Sequence, residues 1–550
     1  MSLLYKTRYT TVIGLEIHAE LLTATKLFCG CPNVFGSGEN ENVCPGCLGL
    51  PGTLPALNRA AVDLAIKGGL VLGCDIARYT LWDRKSYFYA DLPNGYQITQ
   101  MFAPLCIGGG LDIGGRFISL DHIHLEEDAG KLIHDSLRNN TRMDFNRGGV
   151  PLIEIVTKPD MRSAEEAVAF VEKVRMALLY AGVCDGRMEQ GRLRVDANIS
   201  VMPEGSQVFG TRVEVKNLNS FRNVAACIEY EAWRQIRTLE EGGTLRQETR
   251  RFIDGAGGGG SSGSGGRSSG IGSSGSSGSG GSGIGSSGIG SGSGGSGGRT
   301  AAMREKENAD DYRYFPDYNI PPLEIDSEYI EMLRASLPEP PSARRTRYIN
   351  AHNMSESDAD TILARKGVSD LYDGMVALGA EPREALGIVR GEVLRNIGER
   401  DDERADKKHG DECADKKRDD ERTGDPTAKK HTGDPDWIGI SPADAVRLMH
   451  MNKEGKISAN NMKRAVGIMM RDGVELDEVV KSYDMLIHED PEKLAAVVRD
   501  ALAANPAAVA SYKAGEAKVF GYFMGQCNKV LKGAVQPQTL QKELKAQLDR

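Results

Sequence analysis

The sequence predicts an α+β fold, an antiparallel sheet with helices to one side, followed by helical segments. Three observations carry this. Short segments such as TVIGLEIHAEL (11–21) and GRLRVDANISVM (191–202) alternate apolar and polar residues at a period of two. Helical patterns, among them SAEEAVAFVEKVRMALLYAG (163–182), are interleaved with those strands over residues 1–323. From residue 324 onward helical periodicity takes over.

Along the chain, the first strand places Glu16, His18 and Glu20 on one face and Ile13, Leu15, Ile17 and Ala19 on the other. CGCPNVFGSGENENVCPGC follows, spanning Cys29 to Cys47. Two short-bite thiol pairs, Cys29/Cys31 and Cys44/Cys47, joined by a polar loop suit a closed, structural tetrahedral Zn²⁺. The competing readings are a redox dithiol or four unrelated thiols. A thioredoxin-type site, however, needs a single Cys-x-x-Cys at a helix start. In SLDHIHLEEDAG, His122, His124 and Glu126 alternate with Ile123 and Leu125, and Glu127 and Asp128 follow. Ser163 is placed to cap the next helix, Glu166 to complete a capping box, and Gly182 to end it. In GRLRVDANISV the polar row is Arg194, Asp196 and Asn198, and in GTRVEVKNLNSF it is Arg212, Glu214 and Lys216.

Two segments stand apart. Residues 255–298 are almost wholly Gly and Ser and read as a disordered tether. Residues 401–436 repeat the charged words DDER, ADKK and TGDP and read as a solvated, disordered insert, with Cys413 incidental within it. Residues 324–400 form a helical domain and 437–550 a helical tail, in which Ser441-Pro442 opens a helix. In AKVFGYFMGQCNKVLK (517–532), Val519, Phe523 and Val530 are expected to share an apolar face, with Lys518, Lys529 and Lys532 beside it.

The bulk numbers bound the function. The 550 residues are 40% hydrophobic and 26% charged, which suits a globular chain of two to four domains. There is no apolar run of the roughly 20 residues that a membrane helix needs, so no membrane role is expected. MSLLYKTRYT lacks a signal core, which predicts a cytoplasmic address. A net charge of −9 argues against indiscriminate nucleic-acid coating, while leaving room for local basic patches. Single cysteines such as Cys184 and Cys527, scattered through apolar or helical sequence, argue against a disulfide scaffold.

Four strands thus share one device, an apolar face backed by a face of acids mixed with His, Arg or Lys. A wet sheet surface is the bland reading, yet such surfaces are rich in Ser and Thr, which these rows nearly lack. A pocket gives the rows a purpose. Carboxylates would hold Mg²⁺ against phosphate oxygens, and Arg194, Arg212 and Lys216 would neutralise the phosphates. No Gly-x-x-x-x-Gly-Lys-Ser/Thr loop is present, so a P-loop nucleotidase is disfavoured.

With LWDRKSYFYADLPNGYQITQ (81–100), DFNRGGVPLIEIVTKPDMRS (144–163), EVKNLNSF (214–221), QETRRF (247–252) and DDYRYFPDYNIPPL (310–323), these segments resemble the B subunits of the aspartyl/glutamyl-tRNA amidotransferases. The resemblance covers nearly the whole chain outside the two inserts. It implies a cradle domain like those of glutamine synthetase and guanido kinases, a helical linker, and a YqeY-like tail that binds tRNA. It further implies a ligase that uses ATP to phosphorylate the side-chain carboxylate of Glu-tRNA(Gln) or Asp-tRNA(Asn). Ammonia made from glutamine by an amidase A subunit then displaces the phosphate, and a small C subunit completes a heterotrimer. By motif position, Glu16, His18, Glu127 with the adjacent Glu126, Glu214 and, more weakly, Asp196 are the metal candidates. Glu127, Glu214 and Lys85 are the catalytic ones. Asn94 stands where the family usually has lysine. The rivals are the archaeal glutamate-specific E-type relative, which carries an extra folded domain, a zinc-bearing non-catalytic RNA scaffold, and a stand-alone small-molecule kinase.

Overall fold

The computed structural model describes residues 8–135, 139–254, 298–305, 309–398, 437–487, 491–514, 516, 518–531, 535 and 537–549. Nearly all of the Gly/Ser tract, the charged insert with Cys413, and Lys532 lie outside the described residues. The chain divides into two compact units, Met1–Pro341 and Ser342–Arg550.

Among the described residues, the first unit is built on a 10-stranded sheet. Its strands are β1 (Tyr9–Glu20), β2 (Asp75–Ile76), β3 (Cys106–Ile107), β4 (Gly110–Asp112), β5 (Phe117–Glu127), β6 (Pro151–Thr157), β7 (Leu193–Pro203), β8 (Val213–Leu218), β9 (Glu248–Ile253) and β10 (Arg299–Glu305). The spatial order is β10-β9-β8-β7-β1-β6-β5-β3-β2, with β4 paired to β5 off this path. The sheet is mixed rather than antiparallel, because β8 and β9 pair in parallel. The reason is the connection: α3 (Phe221–Glu240) lies between them in the chain, and a helix of that length carries a strand back to run alongside its predecessor.

The alternation read in the sequence decides which face is buried. Ile13, Leu15, Ile17 and Ala19 join Ile123, Leu125, Ile153, Ile155, Val195, Ala197 and Val215 in one core cluster. The same cluster holds Ala61 and Ile66 of α1 (Arg59–Val71), Phe170 and Val174 of α2 (Ala164–Tyr180), and Val224 and Ile228 of α3. Each such large side chain contributes roughly 1.5–3 kcal/mol on leaving water, so these helices are held on the apolar face and the polar rows are left to the other side. Ser163 caps α2 by accepting from the Glu166 N–H at 3.2 Å, and Gly182 follows its end at φ +69°. The capping box does not close as expected: the Glu166 carboxylate accepts from the Arg162 N–H at 2.7 Å.

A small sheet of Phe315–Pro316, Asp83–Ser86 and Tyr96–Thr99 borders the end of β5. Beyond residue 323 the first unit continues through α4 (Ser327–Ala335), where Tyr329 bonds to Asp63 of α1 and lies under the Arg59 guanidinium. No helix among the described residues is long and apolar enough to cross a membrane.

The second unit is helical. Arg344 and Arg347, on the helix Pro341–Asn350, pair with Asp370 and Asp373 on Lys366–Ala377, around the buried Tyr348 and Tyr372. Ser441 caps the helix Pro442–Lys453, accepting from the Asp444 N–H at 3.0 Å. Near the C-terminus, the helix Lys518–Leu531 buries Phe523, Cys527 and Leu531 against Leu494, Val498, Leu540 and Leu544. Val530 is 63% exposed and off this face, contrary to the sequence expectation. The buried residues are spaced four apart, and position 530 falls one step short of that stripe.

Candidate functional site

Cross-strand register brings the polar rows together on the face opposite the helices. Glu16 of β1 lies opposite Asp196 of β7, His18 opposite Glu154 of β6, Glu154 opposite His124 of β5, and Asn198 opposite Glu214 of β8. Side chains directly opposite on one face lie about 5 Å apart at Cβ, so long acids there converge.

Two groups result. The ligand atoms of His18, Glu126 and Glu154 lie within 4.8 Å of one another, and so do those of Glu16, Asp196 and Glu214. In the first, His18 Nε2 is 3.5 Å from Glu126 Oε1 and 3.3 Å from Glu154 Oε2. His124 Nε2 meets the same two carboxylates at 3.5 and 3.4 Å. Burial favours neutral imidazole, yet Glu154 and Glu126 outweigh it, raising His18 and holding His124 at about 10. Burial likewise opposes charge on Glu154, and the two histidines keep its pKa well below the ordinary carboxylate range.

In the second group, burial and then Glu154 push Glu16 upward, with Asp196 and Glu214 adding to the effect. Buried carboxylates at this spacing repel one another and call for a cation. Part of that charge comes from Lys216, whose Nζ lies 3.1 Å from Glu214 Oε1 and 3.3 Å from Asp196 Oδ2. The β7–β8 register shifts beside this point, and Asn217, at φ 62°, donates its N–H to Asp196 Oδ1 at 2.8 Å.

Lys85, on the Asp83–Ser86 strand, stands 5.0 Å above the Tyr312 ring. Burial disfavours its charge, but Tyr314, Glu126 and Glu154 together keep its pKa above the ordinary lysine value. Thr99 of the same hairpin donates to Glu126 Oε2 at 3.3 Å.

The remaining sequence candidates divide. Glu127 lies outside both acidic groups. Its Oε1 accepts from the Ile98 N–H at 3.0 Å, and burial pushes it to about 7. Arg194 is engaged by Asp128 at 3.0 Å. Arg212 precedes β8, is exposed, and joins neither group. Two residues that sequence reasoning did not select as ligands, Glu154 and His124, sit at the centre of the first group. The available signal was Glu154 itself, a lone acid within the apolar strand PLIEIVT.

The four cysteines gather as expected, with the Cys29, Cys31, Cys44 and Cys47 sulfurs within 4.8 Å of one another. They therefore could hold a metal ion. The loop between the two pairs is stitched to Met143–Asn146. Asn40 Nδ2 donates to the Met143 carbonyl, the Phe145 N–H to Asn40 Oδ1, and the Asn42 N–H to Asn146 Oδ1, all at 2.8 Å.

Residues 11–331 match the GatB/GatE catalytic domain family, and residues 426–548 match the GatB domain of YqeY type. The chain is 39% identical over 547 residues to the aspartyl/glutamyl-tRNA(Asn/Gln) amidotransferase B subunit of Ruminiclostridium cellulolyticum, covering 99% of this chain and 98% of the relative. It is 39% identical over 548 residues to the protein of the same name from Anaeromyxobacter sp. (strain Fw109-5), covering 98% and 99%. The corresponding B subunit of Caldicellulosiruptor saccharolyticus is 38% identical over 546 residues, covering 98% and 99%.

Proposed function

The chain belongs to the GatB family of amidotransferase B subunits, and from that premise we propose that it activates the side-chain carboxylate of a mischarged aminoacyl-tRNA with ATP. Glu-tRNA(Gln) and Asp-tRNA(Asn) are the substrates that the names of its relatives suggest. The observation carrying this reading is the pair of acidic groups, His18/Glu126/Glu154 and Glu16/Asp196/Glu214, side by side on one sheet face, with Lys216 bonded to the second and the hairpin that carries Lys85 bonded to the first through Thr99.

A carboxylate accepts ammonia poorly until one of its oxygens has become part of a good leaving group, and transfer of a phosphoryl group from ATP provides one. Mg²⁺, when bound, offsets the negative charge of the transferring phosphoryl group. The residues fit that ion. Glu16, Asp196 and Glu214 offer oxygen only, while His18 brings nitrogen to the first group and so suits a water-mediated or borderline contact. Lys85 is held charged by its neighbours and is placed to meet a phosphate or the substrate carboxylate.

In the same reading the cysteine group holds a structural Zn²⁺ that fixes the loop against Met143–Asn146. Cradle-like action over Met1–Pro341, tRNA docking by the YqeY-type tail, and ammonia supplied by a partner amidase with a small third subunit complete it. The test is reconstitution with amidase and small subunits, offering each mischarged tRNA in turn. Glu154→Gln and Asp196→Asn are expected to remove tRNA-dependent ATP hydrolysis and amidation while leaving tRNA bound. Full activity in both variants would reject the proposed site.

A further inference from the structure

The carboxylates of the second acidic group are fixed from behind. Glu214 Oε2 accepts from Thr249 Oγ1 at 2.8 Å, and Asp196 Oδ1 accepts from the Asn217 N–H at 2.8 Å. Each thereby turns its other oxygen, Glu214 Oε1 and Asp196 Oδ2, toward the Lys216 ammonium. Glu16 faces the same ammonium from β1 and favours its charge, and Glu16 Oε1 in turn accepts from Asn198 Nδ2 at 2.8 Å. Asn198 Oδ1, on the other side of that amide, is buried and has no hydrogen-bond partner among the described residues. An amide that gives its hydrogen to Glu16 keeps that oxygen as a neutral acceptor.

A divalent ion bound to the same two oxygens has to share them with Lys216. With metal–oxygen bonds of about 2.1 Å and the ammonium 3.1 Å from Glu214 Oε1, the positive centres would lie within about 5 Å of each other even on opposite sides of one oxygen. Like charges that close in a partly buried site do not coexist without loss. The lysine is the partner free to leave: its side chain is 34% exposed, against 7% and 6% for Asp196 and Glu214, and it rides on a flexible four-carbon stem.

We propose that Lys216 is an exchangeable cation: it and a divalent ion exclude each other at Glu16, Asp196 and Glu214, and entry of the ion releases the ammonium toward the anion that the ion brings. The inference rests on the functional reading above only for the identity of that anion, a nucleotide phosphate. The three carboxylates thus keep a counter-charge before and after loading. The lysine contributes to phosphate binding only once the metal has arrived.

Mn²⁺ binding to the full chain, followed by the electron paramagnetic resonance of the free ion, tests this without ATP. Asp196→Asn identifies the signal belonging to this group. Lys216→Met is expected to bind Mn²⁺ there about tenfold more tightly than the parent protein, and its melting temperature to rise further on adding Mn²⁺. Lys216→Arg, which keeps the charge, is expected to behave like the parent. Equal or weaker affinity in Lys216→Met overturns the exchange alone. Absence of Mn²⁺ binding at this group in every protein overturns both the exchange and the cation assignment it builds on. Full activity in both Glu154→Gln and Asp196→Asn would remove the kinase reading and leave the Mn²⁺ result, read without ATP, standing.

Discussion

The buried Nζ of Lys26 lies 3.6 Å from Cys47 Sγ and donates to the Phe145 carbonyl at 3.0 Å. A fully buried lysine needs an anionic neighbour, and a thiolate of the four-cysteine group supplies one. The Cys29 thiol, together with the Cys44 N–H and Lys26, draws Cys47 down to about 4 against its burial. Lys26→Met removes the charged donor shared by the sulfur and the carbonyl, leaving Cys47 Sγ with the Cys44 N–H at 3.1 Å and the Phe145 carbonyl with the Gly148 N–H at 3.1 Å. It is expected to lower stability by about 2 kcal/mol, read from a urea midpoint, and to speed metal loss to a chromophoric chelator. Unchanged loss in the variant would show that the lysine does not secure the metal.

Removing the metal proposed for the cysteine group is expected to act further along the chain. Because Asn40 and Asn42 bind Met143, Phe145 and Asn146, freeing the cysteine loop frees the segment that leads into β6 and Glu154. Chelation, or Cys44→Ser, is expected to reduce amide-exchange protection around residues 38–48 and 143–150, with the helices of Ser342–Arg550 unaffected. Protection lost uniformly would mean that the loop is a global staple and not a local brace.

Adjacent glutamates in β5 are expected to differ sharply. Glu126 shares a side of the strand with His124 and faces His18, whereas Glu127 turns to the Ile98 N–H. Glu126→Gln should cut tRNA-dependent ATP hydrolysis about 10²–10³-fold, as loss of an electrostatic contact at the reacting group does. Glu127→Gln should cut it less than about tenfold. Equal losses would place the reaction between the two and refute the assignment.

That contrast also shows what was legible in the sequence. The phase of His122, His124 and Glu126 against Ile123 and Leu125 already put Glu126 with the histidines and Glu127 out of step. Motif resemblance alone favoured Glu127. Glu154 was hidden because PLIEIVT reads as a buried strand, and only its partners across β1 and β5 reveal that its one acid shares the polar face. Alternation fixes the face within a strand but not which strands are neighbours. It therefore anticipated the rows, not their division into two groups. The parallel β8–β9 pair was signalled by the helix between them, which the antiparallel expectation passed over.

In the tail, helical phase makes a similar distinction. Phe523 is fully buried among Leu494, Val498, Leu540 and Leu544, while Val530 faces solvent. Phe523→Ala is expected to cost about 3–5 kcal/mol, seen as loss of tail helicity on mild heating. Val530→Ala is expected to stay within about 0.5 kcal/mol of the parent. A Val530 cost matching that of Phe523 would restore the apolar face first read from the sequence.

The Gly/Ser tract joins two strands that are already partners. In the β9–β10 register Ile253 lies opposite Arg299 and Phe252 opposite Thr300, so residues 254–298 close a hairpin. Its stem is anchored below by Glu231 of α3, which accepts from Thr300 Oγ1 at 2.8 Å and pairs with Arg250 at 3.5 Å. Closing a loop costs roughly (3/2)RT ln n, so replacing residues 254–298 by a four-residue turn relieves about 2 kcal/mol. The shortened chain is expected to unfold at higher denaturant with the slope of its transition unchanged. Amidation should be unaltered, since both acidic groups lie on β1 and β5–β8 and not on β9 or β10. Lower stability would show that the tract makes contacts worth more than its closure entropy. Lost activity with intact stability would give it a part in the reaction.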